Sequence, residues 1–174
     1  MERVDGDPLE LRIEKAFAES GGSEDGGVST RVLGTFLSWM QERRGDVFVV
    51  ATANAVERLP PEFLRKGRFD EVFFVDLPDD ETRRAIFRIH LARRNQLPER
   101  FDLAALAAAT EGFSGAEIEQ VVIAALYTVF AASADLTDDA LLAEVAATRP
   151  LSVVAAERIQ ALRRWAAGRT VPAS

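Results

Sequence analysis

Two short runs, Val47 to Val50 and Val72 to Val75, are apolar at every residue. Neither run alternates apolar with polar residues, a pattern typical of strands covered on both faces, as in the parallel sheet of an α/β protein. Thr52 and Asn54 follow the first run, at the carboxyl end of the strand, where open α/β sheets bind ligands. We therefore predict two buried strands and a candidate binding position at Asn54.

An arginine-bearing loop separates these strands. Pro60 and Pro61 cannot continue a strand, but they can begin a helical turn. Arg65 and Arg68 follow three residues apart, and Gly67 between them allows the loop to turn tightly. Taken alone, the two arginines are typical of surface ion pairs, and Asp70 is a nearby partner for Arg68.

Helical patterns occupy most of the remaining chain. A capping box formed by Ser114 and Glu117 predicts the start of a long helix with an apolar stripe. Other helices are predicted to begin at or just after polar residues, namely Ser29, Asp79 or Asp80, Asp102, Thr137 and Ser152.

The predicted helix after Asp80 is rich in arginine. We expect Ile86, Ile89 and Leu91 to face the core. The positively charged residues along this helix are Arg83, Arg84, Arg88, Arg93 and Arg94. A solvated face, or contact with an acidic neighbouring subunit, is the favoured interpretation, and a nucleic-acid patch is the alternative.

Composition narrows the class of protein. The chain has 174 residues, of which 48% are hydrophobic, and a formal net charge of −7. This hydrophobic content supports a folded core, and the acidic balance disfavours a nucleic-acid-binding module. There is no cysteine, which fits a reducing compartment. Because we recognise neither a signal peptide nor a membrane-length apolar run, we expect a cytoplasmic protein without membrane association.

One glycine-rich segment has the spacing of a phosphate loop. Gly21 to Gly26 satisfies G-x-x-x-x-G, but Gly27 and Val28 follow where the loop requires Lys and Ser or Thr. Glu24 and Asp25 would also repel phosphate. We expect no phosphate loop here, and the sequence indicates no metal site.

Three motifs together resemble AAA-type ATPases of the AAA+ superfamily. Ala51 to Asn54 resembles the sensor 1 strand end, Leu59 to Asp70 resembles the arginine-finger loop, and Gly112 to Glu117 resembles a helix start in the lid. The motifs fall in the family's order and at its spacing. A further likeness, to the uncharacterised AAA proteins of cyanobacteria and plastids, is carried by residues 14–17, 39–42 and 73–78.

The resemblance implies an α/β fold: a partial AAA+ nucleotide-binding domain with a remnant of its parallel sheet, followed by an all-helical lid subdomain. The expected segments are an atypical N-terminus at 1–12, the C-terminal part of the α/β domain at 13–78, the lid at 79–167 and a tail at 168–174.

The magnesium strand of the family is altered in this sequence. AAA proteins carry Asp-Glu directly before the position of Ile13, whereas this chain has Leu11 and Arg12. Arginine stays protonated and cannot bind Mg²⁺ or act as a base. We therefore expect that the magnesium-binding strand is absent or corrupted, as in a truncated, frameshifted or split gene.

Catalytic roles follow from the resemblance. Asn54 would orient the attacking water, and Arg65 and Arg68 would reach the γ-phosphate bound by a neighbouring subunit. ATP and Mg²⁺ are the implied cofactors, although we do not expect this chain alone to bind them.

Three further residues are implied to contact the cofactor. His90 corresponds to a position near the adenine or ribose. Gly115 and Ala116 stand where many AAA+ branches carry a sensor 2 arginine. Taken alone, a single histidine on a helix is more often a packing residue, and with the resemblance the two interpretations carry about equal weight.

The implied function is ATP binding and hydrolysis coupled to remodelling of a protein partner, within a homo- or hetero-oligomeric ring of AAA subunits. For this chain alone we expect no measurable ATPase. It could be a fragment with no independent role, or a non-catalytic subunit that donates Arg65 and Arg68 to an intact AAA partner. A third interpretation is an adaptor or nucleic-acid-binding module that uses the arginine-rich helix.

Overall fold

The computed structural model describes residues 11–12, 34–40, 42, 49–53, 56, 61–65, 67 and 69–173. The chain divides into two compact units, Met1–Glu71 and Val72–Ser174. The elements of the first unit are β1 (Leu11–Arg12), helix α1 (described at 34–40 and 42), β2 (Ala51–Thr52) and a 3₁₀ turn (Pro61–Leu64). The glycine-rich segment 20–28 lies outside the described residues.

The first unit contains a short parallel strand pair. β1 pairs with β2, and the register places Leu11 beside Ala51 and Arg12 beside Thr52. The Leu11–Arg12 segment therefore forms a strand beside the predicted sensor strand, with arginine in place of an acidic residue. Val50 is 56% exposed and precedes β2, so the predicted burial on both faces is wrong at that residue.

Helix α1 is amphipathic over its described residues. Met40 is buried, and Phe36 is half-buried. The Trp39 ring stacks on Phe36 with centroids 5.8 Å apart and remains 44% exposed. Trp39 thus packs at the edge of the helix against its own neighbour, as aromatic pairs commonly do.

The second unit is mostly helical. Its elements are β3 (Phe73–Phe74), α2 (Asp80–Ala92), a 3₁₀ turn (Pro98–Arg100), α3 (Leu103–Ala109), α4 (Gly115–Ala131), α5 (Asp138–Ala147), α6 (Leu151–Val154), α7 (Ala156–Ala166) and β4 (Val171–Pro172). Helix α2 packs on α3 and α4, and α5 packs on α3 and α4.

Side-chain caps begin α2, α3, α4 and α5 at the predicted places. The predicted start at Ser152 is wrong, because Ser152 lies inside α6 and neither α6 nor α7 has a side-chain cap. Asp79 accepts a hydrogen bond from the Thr82 N–H at 2.8 Å, and Asp102 accepts from two N–H groups of α3. Ser114 and Thr137 cap α4 and α5 in the same way. Each cap satisfies donors that the first turn of a helix leaves unpaired.

One apolar core holds the four central helices together. Its fully buried side chains are Phe87, Leu91, Leu106, Ile118, Val121, Val122 and Leu141. Complete burial of such a side chain contributes about 1.5–3 kcal/mol relative to exposure. The predicted stripe of α4 is confirmed at Ile118, Val121, Val122 and Ala125.

The inward face of α2 differs from the prediction. Ile89 is 48% exposed, whereas Phe87 is fully buried. The buried residues of α2 are Arg83, Phe87 and Leu91, which recur every fourth position and form one face. Arg83 therefore does not belong to the solvated arginine face that the sequence predicts.

Arg83 can be buried because backbone carbonyls take the place of water as acceptors for its guanidinium hydrogen bonds. Its Nε donates to the Ala107 carbonyl at 2.9 Å, and Nη1 donates to the Pro78 carbonyl at 2.8 Å. The side chain thereby joins α2 to the end of α3 and to the segment that enters α2. An arginine fork can satisfy both carbonyls at once.

The strand after the arginine loop is less covered than the sequence predicts. Phe73 is 60% exposed and Val75 is 78% exposed, while Val72 and Phe74 are half-buried. β3 pairs in parallel with β4, a strand in the segment that the sequence assigns to a tail. The pairing was not predicted because it joins residues almost one hundred positions apart in the chain.

Replacing Arg83 by methionine should destabilise the protein. Arg83→Met removes both bonds to carbonyls, and hydrogen bonds from a charged group contribute about 1.5–3 kcal/mol. We expect the free energy of unfolding to fall by about 2 kcal/mol, measured by urea denaturation followed by circular dichroism.

Arg84→Met is the matched control on the same helix. Arg84 is exposed and forms a surface ion pair with Asp80, so its loss should cost less than about 1 kcal/mol. Equal effects of the two substitutions would contradict the role assigned to Arg83.

Candidate functional site

The predicted site residues fall into two groups. Asn54 and Arg68 lie outside the described residues. Arg65 is exposed and belongs to the first unit. His90, Gly115 and Ala116 belong to the second unit.

The arginine loop has the local geometry that its sequence predicts. The 3₁₀ turn Pro61–Leu64 directly precedes Arg65. Gly67 follows with a φ of 89°, a conformation that L side chains rarely adopt. The exposed Arg65 thus lies between a 3₁₀ turn and a glycine with positive φ.

The predicted cofactor positions lie along one contact, between α2 and α4. A Cβ atom at Gly115 would lie 3.4 Å from Ile86 Cδ1. The His90 Nδ1 lies 3.4 Å from Glu119 Oε1. Because Ile86 and His90 are four residues apart on α2, and Gly115 and Glu119 four apart on α4, the two contacts are one turn apart on the same helix pair.

His90 is part of a polar cluster at this contact. Arg94 Nη2 donates to Glu119 Oε1 at 2.8 Å, and Arg94 Nη1 donates to the His90 carbonyl at 3.1 Å. Arg94 Nη1 also lies 3.3 Å from His90 Nδ1. An N–H directed at Nδ1 favours the neutral tautomer with its proton on Nε2.

The charge states of this cluster follow from its surroundings. Desolvation lowers the pKa of His90, and the nearby Arg94 and Arg93 lower it further, which outweighs the opposing effect of Glu119. The hydrogen bond from Arg94 lowers the pKa of Glu119. At neutral pH the cluster is therefore a neutral imidazole beside an arginine–carboxylate pair. A neutral ring nitrogen can bond a sugar hydroxyl or a base edge without adding charge.

The start of α4 is fixed by reciprocal hydrogen bonds. The Ser114 N–H and hydroxyl both donate to Glu117 Oε2 at 2.7 Å, and the Glu117 N–H donates to Ser114 Oγ at 3.3 Å. Glu117 Oε1 accepts a further bond from the Leu151 N–H at 2.6 Å. The predicted capping box is confirmed, and its carboxylate also attaches α6 to the start of α4.

Gly112, the first residue of the motif Gly112 to Glu117, occupies a position that only glycine fits well. Gly112 has a φ of 80°, and a Cβ there would lie 2.5 Å from Ser152 Oγ. The motif Gly112 to Glu117 therefore builds a turn, a cap and a close helix contact. Gly115 and Ala116 present no polar side chain, so any contact they make with a cofactor would use the backbone or a methyl group.

The part of the chain that the structure describes shows no cluster of metal-binding side chains. Among the described residues, no three His, Asp or Glu side chains come together as a metal site requires. Arg12 occupies the position beside Thr52 in the strand pair. We therefore derive no step through Mg²⁺ for the side chains described.

The arginine-rich helix offers less free positive charge than its sequence indicates. Arg83 is buried on carbonyls, Arg84 pairs with Asp80, and Arg94 pairs with Glu119. These contacts use three of the arginines that a nucleic-acid patch would need.

Glu119 and Arg94 are the residues near His90 that sequence reasoning missed. The spacing of four between His90 and Arg94 on one helix was a usable signal. No comparable sequence signal pointed to Glu119, because it lies 25 residues beyond Arg94. Its contact with His90 depends on how α4 packs against α2.

A separate groove of about 710 Å³ runs beside the second half of α4. Tyr127 and Phe130 line it and are 73% and 84% exposed. Arg94 also lines it, but that side chain already binds Glu119. The lining is mostly apolar and suits packing better than acid–base chemistry. Within the described ranges, no helix is both long and apolar enough to cross a membrane.

Replacing Glu119 by glutamine should lower the pKa of His90 further. The carboxylate is the one neighbour that raises this pKa, and its removal leaves the effects of burial and of Arg94 unopposed. His90 is the only histidine, so its ring protons can be followed by NMR titration. Glu99→Gln, an exposed change in the second 3₁₀ turn, is the control. An increase in the pKa in Glu119→Gln would contradict this arrangement.

The same shift sets a pH dependence of stability. A pKa below the ordinary value means that folded His90 binds fewer protons than the unfolded chain. Its contribution to stability is therefore complete above pH about 6.5 and declines as the pH falls below it.

Comparisons with known proteins agree with this geometry. The profile of the ATPase family associated with various cellular activities (AAA) matches residues 13–77. The profile of the AAA+ lid domain matches residues 100–143. Together the two matches cover more than half of the chain.

The curated relatives include proteins called Uncharacterized AAA domain-containing protein ycf46. The protein of Pyropia yezoensis is 42% identical over 155 residues, which cover 88% of this chain and 32% of that protein. The protein of Trieres chinensis is 44% identical over 155 residues, covering 88% of this chain and 31% of that protein. The chain thus spans about a third of the length of these relatives.

A more distant relative is the ATP-dependent zinc metalloprotease FtsH 2 of Sphaerobacter thermophilus. It is 48% identical over 81 residues, which cover 47% of this chain and 12% of that protein. With the profile matches and the strand, loop and capped-helix geometry, these likenesses lead to one conclusion: the chain belongs to the AAA family of ATPases and carries part of the nucleotide-binding domain together with the helical lid.

Proposed function

We propose that this chain serves an AAA assembly by donating Arg65 and Arg68 to ATP bound by a neighbouring subunit. The observation that supports this most is the exposed Arg65 between a 3₁₀ turn and Gly67, within the segment that matches the AAA family. In such an assembly, hydrolysis would drive remodelling of a protein partner.

In this proposal, ATP hydrolysis uses a positively charged side chain from outside the nucleotide-binding pocket. Phosphoryl transfer spreads charge over the γ-phosphate oxygens, and an arginine supplied by a neighbour stabilises that charge. In GTPases such a residue accelerates turnover by about 10³–10⁵-fold. An exposed arginine is suited to this role because it stays protonated at all relevant pH values.

Separate nucleotide-contacting roles are proposed for Asn54 in the first unit and for His90 and the start of α4 in the second. Asn54 would orient the attacking water, and the neutral His90 would contact the ribose or adenine. Gly115 and Ala116 would approach the nucleotide through the backbone. No lysine in the chain follows a glycine, so the lysine of a phosphate loop is proposed to come from outside these 174 residues.

A mixing experiment tests this proposal. The purified chain is titrated into a full-length ycf46-type AAA protein, and the rate of ATP turnover is measured. We expect the mixture to exceed the turnover of the full-length protein alone. Arg65→Ala should remove the gain, because a donated arginine is worth on the order of 10³-fold at the site it enters.

Arg164→Ala is the matched control, since Arg164 is also exposed but lies on α7 in the second unit. It should stimulate as the unaltered chain does. Stimulation by Arg65→Ala equal to that of Arg164→Ala would contradict the donated-arginine role. Co-elution of each variant with the full-length protein distinguishes lost chemistry from lost association.

A further inference from the structure

Helix α6 carries apolar side chains on an exposed surface. Leu151, Val153 and Val154 are 47%, 67% and 70% exposed, so three of the four residues of this short helix place apolar side chains in water. Arg149, two residues before the helix, is exposed as well. We call residues 149–154 the α6 segment. It combines a guanidinium with an apolar turn of helix.

The α6 segment is held against the start of α4. The Leu151 N–H donates to Glu117 Oε1 at 2.6 Å. A Cβ atom at Gly112 would lie 2.5 Å from Ser152 Oγ, which shows how closely α6 approaches the turn before α4. The apolar side chains of α6 are therefore presented to solvent from a fixed position rather than from a loose end.

The groove of about 710 Å³ lies toward the other end of the same helix. Ile123, Tyr127 and Phe130 of α4 line it, and Phe130 is thirteen positions beyond Glu117. At 1.5 Å per residue this separation is about 20 Å, whereas the four residues of α6 span about 6 Å. The α6 segment therefore cannot fill the groove of its own chain while the bond to Glu117 holds it.

The two surfaces carry opposite charges that are still available for pairing. Of the two charged side chains in the described lining of the groove, Arg94 already binds Glu119. The other, Asp135, is exposed, and its carboxylate has no ion pair or hydrogen bond with the part of the chain that the structure describes. Within the same described ranges the Arg149 guanidinium is also unpaired. The groove thus offers apolar contacts beside a carboxylate, and the α6 segment offers apolar side chains beside a guanidinium.

We propose that the groove beside α4 binds the α6 segment of a second copy of this chain, with Asp135 pairing to Arg149 of that copy. The apolar side chains of α6 enter the groove, and their removal from water supplies most of the attraction. The ion pair at the rim fixes the orientation of the segment, because exposed charge pairs contribute more to specificity than to affinity.

A contact of this kind is head-to-tail, because the groove and the α6 segment are different surfaces of one copy. A pair of copies still has one open groove and one open α6 segment, so association builds rings or open chains. Because a short segment buries little area, the contact is weak and appears at high protein concentration. The inference goes beyond the proposed donation of arginines, since it uses residues of the second unit alone and no nucleotide.

Charge reversal in the full chain tests this contact. The unaltered chain should gain mass with concentration in light scattering, reaching about twice the monomer mass or more. Asp135→Arg sets two guanidinium groups against each other at the contact, and Arg149→Asp sets two carboxylates against each other. Each of these variants should therefore stay at the monomer mass over the same range of concentration.

An equimolar mixture of Asp135→Arg and Arg149→Asp is the decisive sample. Whichever variant supplies the groove, the α6 segment of the other then brings the opposite charge to it. The mixture should regain the concentration-dependent mass that each variant alone has lost, and a folding defect cannot produce this rescue. If the mixture stays at the monomer mass, or if each variant alone associates like the unaltered chain, the proposed pairing is wrong.

Glu81→Arg and Arg164→Asp are the matched controls. They change the net charge by the same amounts at exposed positions outside the groove lining and the α6 segment, and they should keep the mass of the unaltered chain. Phe130→Ser removes an exposed ring from the groove and should abolish the gain in mass with an unchanged circular dichroism spectrum. An unaltered chain that stays monomeric at every concentration would overturn the proposal and leave the groove to a different protein.

Discussion

The second unit depends on burial of the apolar stripe of α4. Ile118, Val121 and Val122 are almost completely removed from water between α2 and α5. Complete burial of side chains of this size contributes about 1.5–3 kcal/mol each. The cap of Ser114 and Glu117 fixes where that stripe begins, so the register of α4 against α2 is set at its first turn. The contacts around His90 and Gly115 exist only in that register.

The features that make this helix pair stable also shape what it can bind. Gly115 allows close approach of Ile86, and Glu119 comes within 3.4 Å of the His90 ring. Burial and nearby arginines keep the imidazole neutral, so it can contact a nucleoside without electrostatic cost. Glu117 satisfies the helix start and holds α6 through the Leu151 N–H. The stability of the lid and the proposed nucleotide contacts therefore share the same residues.

Local sequence signals predicted much of this fold, and non-local contacts account for what they missed. Caps at Asp79 and Ser114 involve residues three positions apart, and the structure confirms them. The sequence placed Arg83 on a solvated face because the helical pattern of apolar and charged residues does not show that backbone carbonyls elsewhere in the fold accept its hydrogen bonds. The exposed Phe73 was predicted to be buried because an apolar run does not reveal which strand lies beside it. Family motifs supplied the candidate roles of Asn54, Arg65 and Arg68, which composition alone could not have assigned.

We propose that this chain holds only part of an ATP site and acts with another AAA polypeptide. Isothermal titration calorimetry of the purified chain with ATP and Mg²⁺ tests that claim most directly. The account predicts no binding heat for the chain alone, because Gly27 and Val28 stand where a phosphate loop needs its lysine and hydroxyl residue. Saturable binding at micromolar concentrations of ATP would contradict it and would require a complete phosphate site within these 174 residues.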